Sequence, residues 1–206
     1  MRALAVVATE KERDALLASV DSADVVVSGI GPAAAAAATA SALATTRYDL
    51  VLSLGICGAF PGAATLGDIV VATQIVAADL GADSPDGFLS ASDLGWTSTC
   101  VEVPPALLDR VLERLPEAVA GPVLTVSTVT GTQARAELLA ARYRPVAEAM
   151  EGWGVLEGAR RHRLPTLEVR TVSNLVGNRD TSTWDFPAAL QSLTLVGSIL
   201  LGQPWP

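Results

Sequence analysis

The most informative segment for the fold is Leu50-Val51-Leu52-Ser53-Leu54-Gly55-Ile56-Cys57-Gly58-Ala59-Phe60. Its first half is a near-continuous apolar run, which is typical of a strand covered on both faces of a sheet. Its second half is rich in glycine, which allows backbone N–H groups to approach a ligand closely. The segment therefore predicts a buried strand over Leu50–Leu54 and a ligand-binding loop over Gly55–Phe60.

Similar apolar runs alternate with longer Ala- and Leu-rich stretches along the whole chain. The other predicted strands are Ala3–Ala8, Asp24–Ser28, Asp68–Ala77, Val123–Ser127 and Thr166–Ser173. The predicted helices are Lys11–Ser19, Pro32–Ala44, Pro105–Leu115, Ala134–Tyr143, Gly152–Arg161 and Pro187–Leu201. This alternation predicts an α/β three-layer sandwich with helices on both faces of a central mixed sheet. A chain of 206 residues accommodates one such domain, over residues 1–206. Within it, the Asp-, Ser-, Gly- and Pro-rich segment Asp79–Trp96 is predicted to be a long loop.

The formal net charge of −8 argues against nucleic acid and anionic membranes as partners. Two cysteines do not make a disulfide framework in a chain of this size. The apolar runs Ala3–Ala8 and Leu193–Leu201 are too short for a signal peptide and a membrane span, respectively. A reducing cytoplasm is therefore the expected location.

Histidine chemistry is disfavoured by the position of His162, the only histidine, in a basic run that is typical of a solvated helix end. The segment Ser28–Pro32 superficially resembles a dinucleotide fingerprint, but no acidic residue ends the next strand, so a tight turn is favoured. Cys57 has no neighbouring base to activate it, so we predict a small packed thiol rather than a nucleophile.

Three polar residues follow the predicted ends of separate strands, where open α/β sheets bind their ligands. The Glu12 carboxylate can act as a general base, or it can simply complement the dipole of a first helical turn. Glu151 can accept two ribose hydroxyls, or it can serve as a helix N-terminal acid. Asn174 can read a base edge with its donor and acceptor, or it can occupy a turn. Their joint placement is what favours a site.

These residues and their surroundings resemble the purine nucleoside phosphorylase and nucleosidase superfamily. The resemblance covers nearly the whole chain. It rests on the first strand leading to Glu12, on Ser28-Gly29-Ile30-Gly31, Gly55–Gly58, Leu66-Gly67-Asp68-Ile69-Val70, Met150-Glu151 and Val172-Ser173-Asn174. Within the superfamily, Gly81–Phe88 and Asn178-Arg179-Asp180…Trp184-Asp185 resemble a branch that acts on the nucleoside futalosine in menaquinone biosynthesis. This branch releases hypoxanthine and dehypoxanthine futalosine.

Two features discriminate among the branches of the superfamily. Phosphorylases hold phosphate with arginines, whereas no basic residue lies between Arg47 and Arg110, and Glu12 would repel phosphate. Water is therefore the expected acceptor, although Arg13 could point inward. Adenine-releasing relatives carry an aspartate at the position of Asn174, whose amide can instead donate to O6 of a 6-oxopurine.

The resemblance then implies a role for each site residue. Glu12 activates water, Asn174 stabilises the departing base and Glu151 binds the ribose hydroxyls. The remaining substrate-binding residues are expected to be Met150, Ser173, Cys57, Gly58 and Arg179, the last as a partner for the benzoate of futalosine. No metal or organic cofactor is expected, and superfamily members are usually oligomers, so a homo-oligomer is expected. The alternatives are cleavage of inosine or of an adenine thionucleoside, and a purine-binding homologue without activity.

Overall fold

The computed structural model describes residues 1–203 and 205, so residues 204 and 206 of the predicted domain lie outside it. The strands are β1 (Ala3–Val7), β2 (Asp24–Val27), β3 (Leu50–Ala59), β4 (Ile69–Ala77), β5 (Gly81–Ser84), β6 (Gly87–Ser90), β7 (Cys100–Glu102), β8 (Val119–Thr125), β9 (Ala147–Ala149) and β10 (Thr166–Leu175). The helices are α1 (Glu10–Leu17), α2 (Pro32–Thr45), α3 (Pro105–Arg114), α4 (Gln133–Tyr143), α5 (Gly152–Arg160) and α6 (Phe186–Leu200). Each predicted helix is confirmed to within two residues at both ends.

The main sheet is mixed, as predicted, and runs in the order β10-β4-β8-β9-β3-β1-β2, with β7 added beside β4. Strand β10 also pairs with β3, so β3, β9, β8, β4 and β10 close into a ring. Strands β1, β3 and β10 are mutually parallel, and their carboxyl ends therefore meet at one edge. Ligand sites of open α/β sheets lie beyond such an edge.

Helices cover both faces of the sheet, and alternate residues of β1 show why. Leu4 and Val6 pack with residues of α2 and α5, whereas Ala5 and Val7 pack with residues of α1 and α6. Side chains of a strand alternate between the two faces, so an apolar residue at every position requires cover on both sides. Among residues 1–203 and 205, no helix has the combined length and apolar character of a membrane span.

The predicted loop over Gly55–Phe60 is wrong, because β3 continues as a strand to Ala59. The continuation is held by β10 along one edge and by β9 at residues 58 and 59 along the other. Glycine is uncommon inside strands and predicted a loop, but here it marks places where other groups approach the backbone closely.

The segment Asp79–Trp96 is not a plain loop either, since β5 and β6 form an antiparallel hairpin inside it. Its short strands carry few apolar residues, so periodicity did not reveal them. Strand β8 begins at Val119, before the predicted Val123, and passes through Pro122. A register shift in β4 between Ala72 and Gln74 lies opposite Pro122, and such bulges accommodate proline in a strand.

Candidate active site

A cavity of about 410 Å³ lies beyond the carboxyl ends of β1, β3 and β10. This volume falls in the range of small-molecule sites. The structure brings every predicted site residue to its wall: Glu12, Cys57, Gly58, Met150, Glu151, Ser173, Asn174 and Arg179. The wall also contains Thr130, Glu148 and Trp184, to which the sequence assigned no role.

Glu12 lies in the first turn of α1, and its carboxylate is buried against the backbone. Oε2 accepts hydrogen bonds from the N–H of Ala8 (3.1 Å), the N–H of Thr9 (2.8 Å) and the Thr9 hydroxyl (2.9 Å). Oε1 accepts from the N–H of Ile56 at 3.0 Å. The side chain is thus a capping-box acid, and Oε1 is the oxygen with remaining acceptor capacity.

Gly55 explains how β3 can pass this close to Glu12. A Cβ at Gly55 would lie 2.5 Å from Glu12 Oε1 and 2.9 Å from Arg170 Nη1. Its φ of +151° is also one that residues with a side chain rarely adopt. Glycine at this position therefore leaves room for the Glu12 carboxylate beside β3 rather than forming a ligand-binding loop.

Glu151 is the N-cap residue of α5 and is 7% exposed. Its Oε1 accepts a hydrogen bond from the N–H of Gly31 at 3.1 Å, and its Oε2 accepts from Arg170 Nη1 at 3.3 Å. Gly29 and Gly31 have φ values of +83° and +94°, so the predicted tight turn is confirmed. The turn directs the N–H of Gly31 towards the Glu151 carboxylate.

Arg170 and Glu168 form a buried ion pair beneath the site that the sequence reasoning missed. Arg170 Nε donates to Glu168 Oε1 at 2.9 Å, and Nη2 donates to Ser53 Oγ at 3.0 Å. Burial alone would lower the pKa of Arg170, but the carboxylates of Glu168, Glu151 and Glu12 hold it above its ordinary value. The available signal was a pair of oppositely charged residues, two positions apart, inside a strand with no other charged residue.

Asn174 lies at a bulge near the end of β10, where the pairing with β3 shifts register after Val172. The Ser173 hydroxyl lies 2.9 Å from Asn174 Oδ1 and 3.0 Å from the carbonyl oxygen of Cys57. With Oδ1 facing Ser173, the Nδ2 group points towards Gly58, where a Cβ would lie 2.9 Å away. The Nδ2 group lies beside Gly58 and donates to the carbonyl oxygen of Leu175 at 3.3 Å, so one of its two hydrogens remains for a ligand.

Cys57 is 4% exposed, and burial raises the pKa of its thiol to about 12. A thiol with this pKa remains protonated at neutral pH, whereas the thiolate is the nucleophilic form. The predicted packed thiol is therefore confirmed.

Glu148 lies on the cavity wall next to Thr130 and is 5% exposed. Burial raises the pKa of Glu148, with a smaller contribution from Asp79, while the bonds from Thr130 and the charge of Arg135 lower it. The signal in the sequence was a glutamate three residues before Glu151, in the short strand that leads into α5.

Arg179 is exposed at the mouth of the cavity, with its guanidinium 5.3 Å from the ring centre of Trp184. The Asp180 carboxylate accepts from the N–H and hydroxyl of Ser182, so it caps the turn that follows. Arg13 points away from the cavity, since it pairs with Glu10 and Asp14 on the surface of α1.

Residues 17–198 match the family model described as the phosphorylase superfamily. The chain belongs to the phosphorylase superfamily. It is 51% identical over 177 residues to a futalosine hydrolase from Streptomyces coelicolor, an alignment that covers 83% of this chain and 75% of the relative. A futalosine hydrolase from Acidothermus cellulolyticus is 45% identical over 176 residues, with coverage of 83% and 72%. The predicted resemblance to that branch is confirmed.

The fold is shared with an S-adenosylhomocysteine nucleosidase from Streptococcus pyogenes, whose structure was solved in complex with 5-methylthiotubericidin. The TM-score is 0.83 at 19% identity, and the match covers 100% of this chain and 98% of that chain. This likeness confirms the predicted α/β fold with its mixed central sheet.

Proposed function

We propose that the protein hydrolyses the N-glycosidic bond of futalosine and releases hypoxanthine and dehypoxanthine futalosine. The observation that carries this proposal is the single cavity that combines Glu12, Glu151 and Asn174 in a chain so similar to futalosine hydrolases. Two carboxylates and an amide supply what the reaction requires: a base for water, acceptors for ribose hydroxyls and a donor for the departing purine.

In the proposed reaction the water oxygen bonds to C1′ of the ribose as the C1′–N9 bond breaks. The bonding electrons leave with hypoxanthine, and the ribosyl ring acquires oxocarbenium character. Glu12 accepts the proton of the water through Oε1, the oxygen with spare acceptor capacity. Hypoxanthine then takes up a proton from solvent, and Glu12 releases to solvent the proton that it accepted from the water.

Glu151 accepts hydrogen bonds from the ribose hydroxyls, and Met150 packs against the sugar. Asn174 donates from Nδ2 to N7 or O6 of the base, with its amide oriented by Ser173. Cys57 and Gly58 form the floor beneath the substrate. These steps use side chains and water, with no metal or organic cofactor.

The electrostatics of the cavity favour water over phosphate as the acceptor. Arg170, the guanidinium beneath the site, is engaged by Glu168, Glu151 and Ser53. A phosphate charge about 4 Å from the Glu12 carboxylate would cost about 4 kcal/mol at an effective dielectric constant near 20. The cavity therefore suits a neutral nucleophile.

Arg179 is the group proposed to bind the benzoate carboxylate of futalosine. Its position at the mouth, against Trp184, leaves the guanidinium accessible to an anion that extends from the sugar. Arg179→Met should raise KM for futalosine and leave KM for inosine, which has no benzoate, unchanged. An equal rise for both nucleosides would contradict this role.

We also propose that the protein is a homo-oligomer and that it is located in the cytoplasm. Cys57 and Cys100 are both free thiols, which suits a reducing compartment. Leu138 and Trp96 are 71% and 68% exposed, and apolar side chains of this kind are often covered by a second subunit. Light scattering after gel filtration measures the oligomer order, and a monomer at micromolar concentration would contradict this part.

The decisive experiment is release of hypoxanthine from futalosine with and without phosphate, alongside inosine and methylthioadenosine. We expect release from futalosine at the same rate in both buffers. Dependence on phosphate would indicate a phosphorylase, and preference for methylthioadenosine would indicate an adenine nucleosidase. Binding of hypoxanthine without any release would indicate a purine-binding protein.

A further inference from the structure

Glu148 is a buried carboxylate on the cavity wall that no step of the proposed reaction uses. Thr130 fixes both of its oxygens: the N–H donates to Oε1 at 2.7 Å, and the hydroxyl donates to Oε2 at 2.6 Å. A carboxylate has about four acceptor positions, so two remain for a ligand. Glu148 is thus a positioned hydrogen-bond acceptor facing the substrate space.

The sheet places Glu148 in one row with Gly58 and Asn174. Glu148 of β9 pairs with Gly58 of β3, which in turn pairs with Asn174 of β10. Side chains of directly paired residues project from the same face of a sheet. The carboxylate and the amide therefore flank a glycine, on strands about 10 Å apart.

Gly58 has no side chain, so the Asn174 amide and Val176 can lie close over its backbone. A Cβ there would lie 2.9 Å from Asn174 Nδ2 and 3.1 Å from Val176 Cγ2. Glu148 and Asn174 both line the cavity, to which Glu148 presents an acceptor and Asn174 a donor. A planar purine with a donor on one side and an acceptor on the other can form one hydrogen bond with each of these two groups.

The order of donor and acceptor matches one class of purine. A 6-oxopurine presents N1–H as a donor beside the acceptors O6 and N7, whereas a 6-aminopurine presents an acceptor at N1 and a donor at the 6-amino group. A carboxylate facing the N1 acceptor of a 6-aminopurine would bring two acceptors together.

We propose that Glu148 is a specificity-determining residue that accepts a hydrogen bond from N1–H of a 6-oxopurine, while Asn174 donates to O6 or N7. This inference rests on the proposed function, which identifies the ligand as a nucleoside of a 6-oxopurine. It assigns to Glu148 the discrimination against 6-aminopurines. Thr130 holds the carboxylate in position for this contact.

The test compares kcat/KM for futalosine with that for its 6-amino analogue, in the wild type, Glu148→Gln and Glu148→Ala. We expect the preference for the 6-oxo substrate to fall about 10- to 100-fold in both variants, as for a lost hydrogen bond to a charged group. Glu148→Gln nearly preserves size and keeps a partner for Thr130, so it remains informative if Glu148→Ala does not fold. Glu117→Gln, an exposed glutamate just before β8, is the matched control and should leave the preference unchanged.

A binding measurement separates this inference from the proposed function. The wild type should bind hypoxanthine about 10-fold or more tightly than 1-methylhypoxanthine, which lacks the N1 donor, and Glu148→Ala should bind the two alike. If the wild type cleaves no futalosine, the proposed function fails, but this comparison still tests Glu148. Loss of activity on both substrates in parallel, with the two binding ratios unchanged, would overturn the inference and leave Glu148 as a support for Thr130.

Discussion

Glu12→Gln is the substitution that most directly tests the proposed site, because it removes the charge of the side chain with little change in its size. The Glu12 carboxylate accepts three hydrogen bonds at Oε2 and one at Oε1. A glutamine has one acceptor oxygen and one NH₂ donor. Whichever way the amide is turned, its NH₂ group faces at least one backbone N–H.

The magnitudes follow from this geometry. With the amide oxygen at the Oε2 position, the N–H of Ile56 loses its acceptor; with the amide reversed, the N–H groups of Ala8 and Thr9 lose theirs. One buried donor without a partner costs about 1–3 kcal/mol. For a domain of this size, this corresponds to a fall in Tm of about 2–12 °C. Loss of a general base should lower kcat about 10²- to 10⁴-fold.

The assay couples release of hypoxanthine from futalosine to xanthine oxidase, and calorimetry measures the Tm. Glu10→Gln is the control, because Glu10 lies in the same helix but is exposed and pairs with Arg13, and such surface pairs contribute about 0–1 kcal/mol. We expect Glu10→Gln to retain full activity and Glu12→Gln to bind hypoxanthine as the wild type does.

Two results would contradict the role assigned to Glu12. A folded Glu12→Gln variant with more than about a tenth of the wild-type kcat would exclude Glu12 as the base. An unchanged Tm would show that the four hydrogen bonds to the carboxylate contribute nothing to stability.

Three further predictions concern the groups around Glu12. Arg170→Met should lower the free energy of unfolding by about 3–5 kcal/mol in urea titrations, because buried Glu168 loses its partner. The double variant Arg170→Met/Glu168→Met should lose less, and an unchanged unfolding midpoint in Arg170→Met would contradict the buried pair. Asn174→Asp should lower kcat/KM for futalosine about tenfold or more, because a carboxylate would face O6; unchanged activity would exclude the base-reading role. Burial raises the pKa of Glu148, so its contribution to the free energy of unfolding is greatest below the pKa of an unfolded glutamate and declines as pH rises through the raised pKa. Glu148→Gln should therefore lose less stability than the wild type as the pH rises above the pKa of an unfolded glutamate, and parallel stability profiles would contradict the shift.

Local sequence pattern determined most of the fold. The helices were placed to within two residues because amphipathic spacing, and proline at a helix start, act over a few positions. The strands β1, β2 and β4 were also predicted correctly. Their signal is a near-continuous apolar run, which indicates a strand covered on both faces. The shared motifs of the superfamily added the residues of the site, all of which line one cavity.

The sequence failed where a feature depends on distant residues. The glycines of β3 predicted a loop, because the reason for them lies in Glu12 and Asn174, which approach the strand from elsewhere in the chain. No role was predicted for Arg170, because it lies within a strand. In the folded chain it donates to Ser53, 117 positions away in the sequence.

The order of the six helices and of strands β1, β2, β3, β4, β8 and β10 thus follows from the sequence, as do the superfamily and the candidate side chains Glu12, Glu151 and Asn174. The folded chain was needed to show that Arg170 neutralises the carboxylates beneath the site and that Glu148 lies across Gly58 from Asn174. Spacing along a chain fixes which face of an element a side chain occupies, whereas strand register and buried charge pairing are fixed by packing between segments far apart in sequence.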